Sequence, residues 1–281
     1  MTREAVGARA LPEDAARLPG PTSRALTARE VLAVVVPPLV ALALVLVFWE
    51  TWVNVRNVKP YLLPAPSAVA LALFEDPVRY LDAGRVSLGH AFGGLAVGTG
   101  AAFVLAVVMA HSRTLERAIY PLAILVKVTP VVAVAPLLII WFGFGPTPKV
   151  LVAALITFFP MLVNAVTGLR SVDAAAHDFL RALDATRWQV FWKLRLPASL
   201  PYVLAAFRIS VPLSLIGAVV SEWMSGDGGM GQVILIDNGE FDTAGLFGAV
   251  TVLAVIGVVL TGVVSYIEYR LLFWHESAAG L

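Results

Sequence analysis

No cysteine occurs in the 281 residues. That excludes disulfides, thiolate metal sites and cysteine nucleophiles. The histidines, His90, His111, His177 and His275, are scattered with no HExxH pair, so neither a metal centre nor any other cofactor is expected. None of the four lysines follows a glycine, so there is no GxxxxGK[ST] phosphate loop, and no GxSxG elbow occurs. The chain therefore lacks the means to hydrolyse ATP by a phosphate-loop mechanism, and it reads as a non-enzyme. Any uphill work must draw on an ion gradient or on a separate subunit. Charge is scarce as well. Asp, Glu, Lys and Arg make up 14% of the chain, against about 25% in soluble domains. The net charge is +1, which implies no global electrostatic partner and no nucleic acid.

What fills the chain is apolar: 59% of residues are hydrophobic, and the charges cluster between long uncharged blocks. That pattern is an all-α, polytopic integral membrane protein. A spanning helix needs about 20 mostly apolar residues. Six segments qualify: 31–49, 86–110, 118–141, 149–169, 203–223 and 243–267. Residues 1–30 hold mixed charge and three prolines, and read as a disordered cytoplasmic tail without the apolar core of a signal peptide. Residues 31–281 form the membrane domain.

Orientation follows from the basic residues in the loops. With the N-terminus inside, inner segments carry thirteen Lys/Arg and outer ones five: Arg56, Lys59, Arg79, Arg85 and Lys149. Both termini are then cytoplasmic. Trp49, Trp52, Trp141 and Trp223 fall at outer helix ends and Trp274 just past the last inner one, as an aromatic belt requires. The outer stretch LLPAPSAVALALFEDPVRYL admits an interfacial helix from Ser67 or a plain connector. Along the second span small residues recur at every fourth position: Gly94, Gly98, Ala102, Ala106 and Ala110. Such a stripe permits close helix contact, expected within the subunit rather than across a dimer seam.

Two residues stand out within or beside the spans, where charges are the first functional suspects. Lys127 precedes Pro130 in ILVKVTPVVAVAP; it either snorkels to the inner surface or lines a substrate pathway. Glu222 closes the fifth span and either faces the pathway or a partner, or is an ordinary solvated helix end. Arg208 reads as an interfacial anchor. SGDGGMGQ, residues 225–232, has four glycines in eight positions and permits a tight re-entrant turn near the outer face.

The segment 171–200, SVDAAAHDFLRALDATRWQVFWKLRLPASL, is a polar island between apolar blocks. It reads as two short helices broken at Asp184-Ala185. Asp tolerates a left-handed backbone better than most residues other than glycine. Thr186 and Gln189 form a capping-box pattern for the second helix, and Pro197 and Pro201 are expected to end it. Leu180, Leu183, Trp188, Val190 and Phe191 are available for burial. On these grounds alone the island is either a partner-docking element or a membrane-surface helix.

From Asp178 through Phe-Leu-Arg-Ala-Leu to Asp184, then Ala185-Thr186-Arg187-Trp188 and Leu196-Pro197, the island resembles the EAA loop of bacterial binding-protein-dependent ABC importer permeases. Asp178 stands for that motif's Glu, Phe179 and Leu180 for its alanines, and Asp184 for its Gly. LLPAPSAV (62–69), PVVAVAPLLIIWFGFG (130–145) and SEWMSGDGGMGQVI (221–234) resemble the nitrate, sulfonate, taurine and pyrimidine-precursor branch. The resemblance implies a type I importer permease of the bacterial inner membrane. It implies as partners a dimer of cytoplasmic ATPases, an extracytoplasmic substrate-binding protein, a second copy of the permease and membrane lipid. It further implies that Asp178, Leu180, Leu183, Asp184, Ala185, Thr186, Arg187, Trp188 and Pro197 belong to an ATPase-coupling loop at 170–200. A secondary transporter or channel acting alone is the alternative.

Overall fold

The computed structural model describes residues 28–272. Of the tail expected at 1–30, residues 1–27 lie outside them, as does Trp274, while 28–30 begin the first helix. All regular structure among the described residues is helical: α1 (Ala28–Val55), α2 (Pro66–Glu75), α3 (Pro77–His111), α4 (Arg113–Val128), α5 (Val131–Phe142), α6 (Pro146–Arg170), α7 (Ala174–Ala182), α8 (Arg187–Val190), α9 (Leu196–Ser225), α10 (Gly229–Gly239) and α11 (Thr243–Leu271). The chain divides into two compact units, with the boundary in sequence between Thr51 and Trp52. In the first, α1 carries Pro37 and Pro38 internally and presents exposed apolar side chains such as Leu44 and Val47.

In the second unit α3, α6 and α9 form the packed centre. Apolar side chains gain little by leaving lipid for one another, so membrane helices hold together through close packing and internal hydrogen bonds. The glycines supply the closeness. A Cβ at Gly94 would overlap Ala153, and one at Gly98 would overlap the Thr157 hydroxyl and the Ala154 carbonyl. On α9, a Cβ at Gly217 would come within 2.8 Å of the Ala153 Cα, while one at Gly168 of α6 would come within 2.8 Å of Tyr202 Cβ. Ala102 and Ala106 continue the stripe and are fully buried with Met109, Met161 and Leu162. The small residues of the second span thus pack inside the subunit.

Among the described residues five helices are long and apolar enough to cross a membrane: α1, α3, α6, the continuous rod from α8 through α9, and α11. The expected third span, 118–141, is broken. α4 and α5 meet at 94°, and the pair read as one broken span brings the crossings to six. The cause is local: Pro130 disfavours helical backbone at Thr129 and donates no N–H, and Thr129 is extended, with ψ 125. The second span also differs from expectation, starting at Pro77 instead of residue 86. Asp76 caps it by accepting from the Arg79 N–H at 3.1 Å, and Pro77 takes the first position, where its missing donor costs nothing. The stretch from Ser67 forms α2, so it is a helix and not a plain connector.

Pro197 and Pro201 do not end the island's second helix. Residues Phe191–Arg195 form a π turn, in which Leu196 N–H reaches the Phe191 carbonyl, and the helix runs on into α9. The wider turn takes up the mismatch where a proline lacks its N–H and crowds the preceding turn.

The packing yields a direct test. Gly98→Leu should lower thermal stability by about 1–3 kcal/mol or more through overpacking. Gly100→Leu, on the same helix but with open space at its Cβ, should melt like the parent. Detergent melts of both variants decide it.

Candidate functional site

One end of the unit carries the island. α7 is capped by Asp173, which accepts from the Ala175 N–H at 3.2 Å, and it ends in a left-handed turn. Asp184 sits there at φ 56, as the sequence indicated. Thr186 and Gln189 then close the capping box: Gln189 N–H donates to Thr186 Oγ1 at 3.3 Å and Thr186 N–H to Gln189 Oε1 at 2.8 Å. The break is thus fixed by backbone conformation on one side and by paired hydrogen bonds on the other.

The island's apolar residues divide in two. Val190 and Phe191 are buried within the chain, which removes them from any docking face, and Leu180 is half-buried. Phe179, Leu183 and Trp188 are 65%, 63% and 68% exposed. Trp188 stacks on Phe191 at 6.0 Å and meets Trp192 edge-on at 5.4 Å, so it is held in place although it faces outward. Asp178, Arg187 and Pro197 are exposed and Ala185 half-buried. Cations from neighbouring helices satisfy the last carbonyls of α3: Arg170 donates to Met109 O at 3.0 Å and bridges Glu116 at 2.5 Å. Positive groups suit a helix C-terminus. Arg208 lies 3.8 Å from Glu268 on α11.

Lys127 sits in the last turn of α4, beside the 94° bend. It is exposed, and its ammonium lies 4.8 Å from the centre of the Phe159 ring on α6. That is within range of a cation–π attraction.

The opposite end holds a buried polar clasp that the sequence reading did not find. Glu222 is fully buried, not a solvated helix end. Ser87 donates to its Oε2 at 2.7 Å and the Gly231 N–H to the same oxygen at 3.1 Å, while His90 Nδ1 lies 2.8 Å from Oε1. Ser87 in turn accepts from the Met230 N–H at 2.8 Å. The carboxylate and the hydroxyl together satisfy two free donors at the start of α10, which would otherwise be left without partners. Gly229 makes this possible: its φ is 79, and a Cβ there would overlap the carboxylate.

Two cations complete the clasp. Lys149 is 2% exposed and donates to the Asp227 carbonyl, with Asp227 Oδ2 at 3.3 Å. Arg79 pairs with the buried Asp237 of α10. Both cations lie in the first turns of their helices, where the dipole disfavours positive charge. That misplacement is the sequence signal that each needs a specific partner. Among the described residues no cluster of three or more His, Cys, Asp or Glu is placed to hold a metal.

Glu222→Ala would leave the Ser87 hydroxyl, His90 and the Gly231 N–H without their acceptor, at about 1–3 kcal/mol for each buried group. It should raise protease cutting in residues 224–228 and lower the melting temperature more than Glu222→Gln, which keeps one oxygen. Equal melts for both variants would mean that the acceptor is dispensable.

Comparison with known proteins supplies context for this geometry. Residues 94–273 match the family model described as binding-protein-dependent transport system inner membrane component. The chain is 37% identical over 244 residues to the riboflavin transport system permease protein RibX of Chloroflexus aurantiacus, covering 85% of this chain and 90% of that protein. It is 32% identical to the formylaminopyrimidine transport permease protein ThiX of Halalkalibacterium halodurans, over 85% of this chain and 96% of that one. Against the taurine transport system permease protein TauC of Escherichia coli the identity is 29%, with 83% and 88% covered. A solved structure of the MetNI methionine ABC transporter in inward-facing conformations superposes with a TM-score of 0.55 at 16% identity, covering 69% of this chain and 94% of that one. That likeness speaks for the fold.

Proposed function

Since the chain belongs to the family of binding-protein-dependent transport system inner membrane components, and so is an ABC importer permease, we propose that its island couples it to a separate ATPase. The observation that carries this reading is the exposed apolar row Phe179, Leu183 and Trp188 beside a break fixed by Asp184 and the Thr186–Gln189 box. Exposed apolar side chains on a rigid frame suit burial in a partner's groove. The remaining residues of the proposed coupling set, Asp178, Leu180, Ala185, Arg187 and Pro197, frame that row. ATP hydrolysis is proposed to belong to that partner, a reading supported by the lack of a phosphate loop in this chain. The island and both termini are taken as cytoplasmic in a bacterial inner membrane, with the permease as a homodimer served by an extracytoplasmic binding protein.

The proposed solute is a small nitrogen heterocycle. The support is the naming of relatives at 37% and 32% identity for riboflavin and formylaminopyrimidine transport. Lys127, at the α4–α5 bend, is proposed to face the pathway, where a cation already resting on an aromatic ring suits polar, π-rich solutes. Glu222 is proposed to serve the pathway at one remove, by holding the 225–232 turn.

Leu183→Glu places a carboxylate in the proposed contact without touching a span. Burying it unpaired costs several kcal/mol, against roughly 8–12 kcal/mol for micromolar to nanomolar binding. The variant should insert and dimerise normally yet fail to co-purify with the ATPase; full recovery would remove Leu183 from the contact. Lys127→Met should lower uptake into proteoliposomes while leaving the ATPase bound, and normal uptake would take Lys127 out of the pathway.

A further inference from the structure

Beside the island two cavities adjoin, of about 400 and 320 Å³. Both fall in the size range of small-ligand clefts, roughly 300–1,000 Å³. Arg113 lines the first, Arg181 and Arg187 the second, and Arg195 with His111 and His177 line both. The cations are not all accounted for by internal partners. Arg170, also on the first cavity, is taken up by Glu116 and the Met109 carbonyl, and Arg195 reaches the Ala110 carbonyl at 3.5 Å. The side chains of Arg113, Arg181 and Arg187 make no ion pair or hydrogen bond within the described residues. The one carboxylate on the walls, Asp178, is 79% exposed and lies 3.7 Å from His177.

We infer that this cleft binds a phosphate-bearing anion that ties the island to the membrane helices. Arg181 and Arg187 line the second cavity and Arg113 the first, with Arg195 on both; like charges gathered in this way favour a multivalent anion between them. Guanidinium is the side chain best shaped to grip phosphate oxygens in pairs. The arrangement also gives the anion a task. Arg113 stands at the start of α4 and Arg195 leads into α9, whereas Arg181 and Arg187 flank the island's break. One ligand touching both sets would fix the pose of α7 against the span ends. The ligand is either an anionic lipid headgroup or a free phosphate compound. That the cleft opens to the cytoplasm rests on the orientation proposed above; anion binding itself does not.

The experiment uses the full chain and the triple variant Arg113→Gln/Arg181→Gln/Arg187→Gln. In detergent, melting is followed against inorganic pyrophosphate, with chloride at matched ionic strength. In nanodiscs, bound lipid is counted by native mass spectrometry with phosphatidylglycerol or phosphatidylcholine. The parent should be stabilised by pyrophosphate over chloride, or should retain phosphatidylglycerol over phosphatidylcholine. The two arms separate a free anion from a headgroup. The variant should melt like the parent without ligand and bind roughly tenfold more weakly or worse. Equal binding by parent and variant, or no preference in either arm, overturns the inference. So does loss of ATPase pull-down by a variant whose parent binds neither probe, because the arginines then serve the ATPase. ATPase recovery with Leu183→Glu reads the coupling contact separately.

Discussion

Backbone-to-backbone approach between helices is the constraint on which the rest depends. Gly94 and Gly98 let α3 lie against α6 at the line of Ala153, Ala154 and Thr157, and Gly168 and Gly217 let α9 close on the same helix. In lipid no hydrophobic gain rescues a looser contact. The three axes are set by what these four positions lack. Once set, they bring Ser87 and His90 of α3 to Glu222 of α9 at one end, and the α3 carbonyls to Arg170 and Arg195 at the other.

The two ends solve opposite problems. At the α10 end Glu222, Lys149 and Asp237 are buried, where an unpaired charge would be costly, and each has its partner: Glu222 is shared by Ser87, His90 and Gly231, Lys149 is held by Asp227, and Asp237 by Arg79. That end is closed by its own chemistry. At the island end the apolar residues Phe179, Leu183 and Trp188 turn outward, and their rigidity comes from a cap and a left-handed aspartate. Under the coupling proposed for the island, the partner ATPase covers this surface.

Much of this was legible in the sequence because it is written in local chemistry. The capping box, the left-handed Asp184 and the small-residue stripe each depend on a few neighbouring residues, and each is found where expected. The misreadings come from reading local signals without their surroundings. Pro197 looks like a helix stop, but the π turn at Phe191–Arg195 absorbs it. The run 118–141 is apolar but for Lys127, and it is the Thr129-Pro130 break that divides it. Glu222 resembled a solvated helix end because its partners, Ser87 and His90, lie more than a hundred residues away. Val190 and Phe191 looked available for docking; their burial depends on how α8 packs, which no local pattern records.

The central claim is that the island is the surface on which a separate ATPase acts. Because the chain has no cysteine, a single thiol can be placed at will. Leu183→Cys, labelled with a photoactivated cross-linker in membranes that hold the partner ATPase, should give an adduct of permease and ATPase whose yield changes on adding ATP. Arg85→Cys, at an even more open position near the far end of α3, should give none. An adduct of equal yield from both positions, or none from position 183 while uptake is intact, would contradict the account.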